Sequence, residues 1–160
     1  MMLKYLCCAV LLCVAAVDPV VAMAQDWRKS ASTAKKVDKL VEAMPATGNI
    51  MIEMGERYRN LYWAAKLGQW EFANYQAEEM EELIDKLKVT RPELTKTANE
   101  FLENSYPPVF QAVKSRDWNK FSAMFEDLRR ECMACHSKNE HGFIALPVPK
   151  RASSPVLNME

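Results

Sequence analysis

The sequence predicts an all-α chain folded as an up-down-up-down four-helix bundle. Four stretches repeat apolar residues at intervals of three and four, and no segment of useful length alternates with period two. The links between these stretches, around 68–69, 89–91 and 115–116, are short, which favours antiparallel neighbours.

An N-terminal arm, residues 25–47, precedes the bundle, with a short helix expected over Ser32–Met44 and ended by Pro45. The first bundle helix carries Met51, Met54, Tyr58, Leu61 and Ala65 on one face, and Gly68 is its natural C-terminal stop. The second carries Trp70, Ala73, Ala77, Met80, Ile84 and Leu87. Its other face holds Glu78, Glu79, Glu81 and Glu82, which read as solvated surface. The third opens on Thr90-Arg91-Pro92-Glu93, a capping-box pattern with proline in the first turn, and continues through Leu94, Ala98, Phe101 and Leu102. Pro107 and Pro108 each remove a backbone donor and must kink or break it, leaving a short continuation over 108–114. Asp117 is the expected N-cap of the fourth helix, whose stripe runs Trp118, Phe121, Phe125, Leu128, Cys132 and Cys135. From Leu146 the chain is a proline-punctuated tail.

Composition narrows the function. At 160 residues, the chain has room for one compact domain. Its 21 Lys and Arg balance 21 Asp and Glu, so it carries no basic surplus of the kind that binds nucleic acid. Four glycines with no glycine-rich loop argue against a phosphate-cradling nucleotide site. Near the N-terminus, Lys4 precedes a continuous apolar run from Tyr5 to Val17, and Ala22-Met23-Ala24 follows Pro19. This is the order of a cleaved signal peptide, residues 1–24. The run is shorter than the roughly 20 apolar residues of a membrane span. The expectation is export to a bacterial periplasm without stable membrane insertion. Cys7, Cys8 and Cys13 fall within the removed segment, which leaves Cys132 and Cys135.

These two belong to Cys132-Met133-Ala134-Cys135-His136, the C-x-x-C-H pattern of covalent haem attachment. Thiols three residues apart on a helix face the same way and can meet the two vinyl groups of one porphyrin. His136, four residues after Cys132, rises from that face and is the expected proximal iron ligand. Haem c, one group and covalent, is therefore the expected cofactor. Two rivals remain. With His141 the motif offers two sulfurs and two nitrogens to a zinc ion. A C-x-x-C pair can also serve disulfide exchange, although that motif usually sits in a βαβ context.

In such a bundle the end of helix four lies beside the start of helix one, so Met51 and Met54 are the candidates for the distal iron position, Met51 first. Met44 precedes Pro45 and is weaker, Met80 falls too far along helix two, and Met133 points away from the attachment face. Both leading methionines also suit ordinary core packing. An open distal site is the other possibility. His141 is close behind His136 and belongs near the haem edge. Arg57, Arg59, Arg129 and Arg130, with Lys88 and Arg91 at the same end, are candidates to pair with haem propionates or to form solvated surface. The chain thus divides into signal peptide 1–24, arm 25–47, haem-binding bundle 48–146 and tail 147–160.

A C-x-x-C-H motif near the end of the last helix of a four-helix bundle resembles the cytochrome c′ class. More narrowly, the chain is similar to a group of bacterial monohaem cytochromes, through Arg57-Tyr58-Arg59-Asn60-Leu61-Tyr62-Trp63-Ala64-Ala65, Asn74-Tyr75, the motif itself, and His141-Gly142-Phe143-Ile144. The likeness covers residues 48–149, with one departure: that group often has a histidine where this chain has Tyr58. The resemblance implies a distal methionine from the first helix, as in low-spin relatives of the class, and a possible homodimer. The expected function is single-electron transfer to redox partner proteins by a monohaem c-type cytochrome. No nucleophile–base pair or second metal constellation is evident, so no enzyme is expected. The alternatives are a five-coordinate haem protein binding nitric oxide or carbon monoxide, and a zinc-stabilised helical interaction module.

Overall fold

Helices are the only regular elements among the described residues, 26–151 of the computed structural model, so the all-α expectation holds there. The segment expected to be a signal peptide, 1–24, and the end of the tail lie outside the described residues. The chain divides into two units, one ending at Glu42 and one beginning at Ala43.

In the first unit, α1 (Trp27–Ser30) is capped by Asp26, whose carboxylate accepts from the Arg28 amide at 3.2 Å. The next helix, α2 (Thr33–Glu42), begins where the Ser32 hydroxyl accepts from the Lys35 amide and ends two residues before the expected Met44. Val37, Leu40 and Val41 on α2 are exposed.

The second unit begins with α3 (Thr47–Lys66) and α4 (Trp70–Thr90). Gly68 ends α3 as expected, and its φ of 73° shows why glycine stands there. The Gly68 amide donates to the Ala65 carbonyl, and the Gln69 amide to the Ala64 carbonyl at 2.8 Å. This crossed pair is a Schellman turn, and it satisfies carbonyls that the helix end leaves open.

The third periodic stretch departs from expectation. It is a 3₁₀ turn at Pro92–Leu94, then α5 (Thr95–Glu100), then a π-helical turn at Phe101–Ser105. The capping box does not form. Thr90 still belongs to α4, where its hydroxyl donates back to the Lys86 carbonyl at 3.0 Å, so it cannot turn toward the next helix. The break predicted at the two prolines is real and falls just before them. The Tyr106 amide donates to the Phe101 carbonyl five residues back, and Pro107 opens α6 (Pro107–Lys114), where its missing donor costs nothing. Asp117 caps α7 (Trp118–Lys138) as expected, accepting from the amides of Asn119 and Lys120 at 2.8 and 3.1 Å.

Helix α3 packs on α4, α4 on α5 and α6, α6 on α7, and α7 back on α3. Leu61, Ala73, Ala77, Met80, Val109, Phe121, Phe125 and Leu128 are buried between them, much as the apolar stripes required. Rings join α3 to α7: Tyr58 stacks on Phe125 with centroids 4.6 Å apart, and Tyr62 meets the same phenylalanine at 5.0 Å. The acidic face of α4 is not all solvent-facing surface, since Glu79 holds Arg57 of α3 at 3.1 Å.

Candidate functional site

The last two turns of α7 carry Cys132, Cys135 and His136. Spacings of three and four turn all three toward a cavity of about 690 Å³ within the second unit. Its floor is apolar, built from Ile84, Leu87, Ala98 and Phe101 of the neighbouring elements. Met51 and Met54 of α3 line it too, so the cavity brings together all five residues that the sequence singled out for the cofactor.

Burial dominates the electrostatics here. Cys132 packs against the main core cluster, and its thiol is pushed up to about 12, first by loss of water and then by the neighbouring Cys135 and Glu131. The Cys135 thiol is raised in the same direction by burial, partly countered by Lys138 and by the Asn139 amide, which approaches its sulfur at 3.7 Å. Neither cysteine is in a disulfide. A partly buried thiol whose pKa is raised differs from the exposed, low-pKa cysteine that disulfide exchange uses. The His136 Nδ1 lies 3.5 Å from the Ile144 carbonyl oxygen.

Several residues fall elsewhere than expected. Met80 lines the cavity although its position along α4 argued against it; a buried side chain one helical turn from Ile84 reaches the same space. His141 lies outside the lining, with its Nδ1 at 2.5 Å from the Asn139 carbonyl oxygen and its ring near Phe143. Neither Met44 nor Met133 is in the lining, and Met133 lies beside Arg129. Of the candidate arginines, Arg59 alone lines the cavity, and it is ion-paired with Glu56. Arg57 is held by Glu53 and Glu79, Arg129 by Glu126 at 2.9 Å, and Arg130 by Asp127. Lys88 pairs with Asp85 at 2.7 Å.

The zinc alternative needs Cys132, Cys135, His136 and His141 gathered around one point. Among the described residues, no three His, Cys, Asp or Glu side chains are grouped to hold an ion.

Sequence reasoning missed two parts of the site. The segment from Ile144 to Arg151, most of it the tail to which no role was assigned, lines the cavity. Tyr58 and Tyr106 contribute hydroxyl-bearing rings to the lining; the first donates to the Pro147 carbonyl and the second to the Ala77 carbonyl. The prolines at 147 and 149 signalled an extended path for the tail, but nothing in the sequence said which surface it follows.

The donor set suits an iron porphyrin. Two thiols and an imidazole stand at helical spacing, thioethers stand on another helix, and the wall between is apolar. The volume falls within the ~300–1,000 Å³ typical of pockets for compact organic groups. Comparison with protein-family models, curated proteins and solved structures found no match to the chain.

Proposed function

We propose that this cavity takes one covalent haem c and that the protein is a monohaem c-type cytochrome that carries single electrons. The observation supporting this reading is the convergence of Cys132, Cys135, His136, Met51 and Met54 on one apolar cavity. Bound there, the group supplies one reversible electron at its iron. The two thiols would hold it as thioethers. With the His136 Nδ1 hydrogen turned toward the Ile144 carbonyl, Nε2 keeps its lone pair for the metal. A helix α3 methionine, Met51 ahead of Met54, would take the distal side. Thioether ligation together with an apolar wall raises a reduction potential.

The cycle of packing from α3 through α4, α6 and α7 back to α3 supports a four-helix bundle of the kind the cytochrome c′ class uses. Function as a carrier implies redox partner proteins and, for haem attachment through such a motif, a site outside the cytoplasm. No helix among the described residues is long and apolar enough to cross a membrane.

The test is the absorption spectrum of the protein exported in a host with a haem-attachment system. A Soret band surviving denaturation, with a low-spin ferric spectrum and a methionine–iron charge-transfer band, is the expected result. Met51→Ala or Met54→Ala should abolish that band, and whichever does so identifies the ligand. The absence of covalent haem would overturn the reading. A high-spin ferrous form that takes carbon monoxide without losing a ligand would replace electron transfer with gas binding.

A further inference from the structure

We propose that residues 144–151 form a strap closing the cavity, and that Lys150 and Arg151 on the strap, with Arg59 on α3, receive the carboxylates of the occupant. The proposal rests on the haem reading, because the macrocycle presents two propionates on one edge.

Three anchors fix the path of the strap. The Tyr58 hydroxyl on α3 donates to the Pro147 carbonyl at 3.3 Å. The Arg129 guanidinium on α7 donates to the Leu146 carbonyl at 3.2 Å, and the His136 ring nitrogen lies 3.5 Å from the Ile144 carbonyl. Leu146 packs against the main core and Pro149 is buried, so this segment is seated on the helices. Its backbone therefore forms a wall of the cavity.

Charge at the cavity is one-sided. Arg59, Lys150 and Arg151 are in the lining, and among the described residues no Asp or Glu is. Lys150 and Arg151 enter no ion pair among the described residues. Arg59 is committed only to Glu56, in a partly exposed pair of the kind that contributes little and exchanges readily. An apolar cavity with cations and no anions in its lining fits an amphiphile with an apolar body and carboxylates at one end. Charge-assisted hydrogen bonds to such carboxylates are about twice as strong as neutral ones. The other candidate arginines are engaged elsewhere and lie outside the lining.

The test uses the full-length holoprotein and follows reduction potential against pH at low salt. Lys150→Ala/Arg151→Ala and Arg59→Ala are compared with wild type and with Arg130→Ala, which removes an exposed cation outside the cavity. The expected result is unchanged covalent haem, a lower potential in the first two variants, and a propionate-linked inflection moved up by about one pH unit. Lys150→Arg/Arg151→Lys should restore the wild-type inflection, and Arg130→Ala should leave it in place. An unmoved inflection in haem-loaded Lys150→Ala/Arg151→Ala overturns the strap assignment alone. A wild-type protein without haem overturns the site reading on which it rests.

Discussion

Replacing Tyr106 with phenylalanine isolates one buried hydrogen bond at the edge of the candidate site. Tyr106 is 1% exposed and stands at the join between the π-helical turn and α6, with Phe101 and Phe110 rings 5.5 and 5.6 Å away. Its hydroxyl donates to the Ala77 carbonyl in the middle of α4 at 2.6 Å, so it ties the break in the third stretch to α4. Phenylalanine keeps the ring and opens no cavity. The Ala77 carbonyl lies within α4 and keeps its helical donor, so no acceptor is orphaned. What remains is the net value of one bond, about 1 kcal/mol. Tyr106→Ala also loses the ring, for a total of roughly 3–5 kcal/mol. Equilibrium urea unfolding, with both variants in the same haem state as wild type, measures these differences through the midpoint at constant slope. A loss above ~2.5 kcal/mol for Tyr106→Phe would refute the argument, as would a loss equal to that of Tyr106→Ala. Either result would mean that the hydroxyl, and not the ring, organises the join.

Asp117→Ala removes the acceptor for two amides at the start of α7 and should cost about 1 kcal/mol in the same assay, with Asp117→Asn or Asp117→Ser recovering most of it. Alkaline pH should destabilise the haem-free chain. The Cys132 thiol, raised by burial to about 12, holds its proton more tightly folded than unfolded, so stability is complete below about pH 8.5 and falls as pH rises toward 12. Thioether formation removes that proton, so unfolding free energies from pH 8 to 10 should slope downward without haem and stay flatter with it. Above about pH 10, Tyr58 and Tyr106, both raised by burial, add a loss common to the two forms. Parallel profiles below pH 10 would contradict the assignment of Cys132 to the cofactor.

Helix positions were legible wherever a stripe and a punctuating residue agreed. Gly68 and Asp117 each declare a local backbone geometry, and the structure places them where that geometry is needed. Thr90 misled because a threonine before Arg-Pro-Glu satisfies the capping pattern equally well from inside the preceding helix, and only the packing of α4 decides between the two. The π-helical turn was invisible because Phe101 and Leu102 continue a helical stripe; the wider hydrogen-bond ring appears only once the chain must reach Pro107. At the site, Cys132, Cys135 and His136 follow from spacing alone, and Met51 and Met54 follow from topology. The tail did not, because its attachment runs through contacts 17 and 89 residues apart in sequence, which no local pattern encodes.

Those attachments share a chemical peculiarity. Each terminates on a main-chain oxygen, at Ile144, Leu146 and Pro147, so these polar contacts do not depend on which side chains the tail carries, and only Leu146 and Pro149 add apolar seating. The two prolines suit this arrangement, since they present carbonyls while bringing no amide hydrogen into an apolar wall. Course and content are thereby uncoupled at the exposed positions. Substitutions at the exposed lining positions Val148, Lys150 and Arg151 can alter the polarity, bulk or charge facing the cavity while the chain keeps to the same track. The wall over the site is in this sense a panel pinned at a few points to a fixed frame, open to tuning at the positions between the pins.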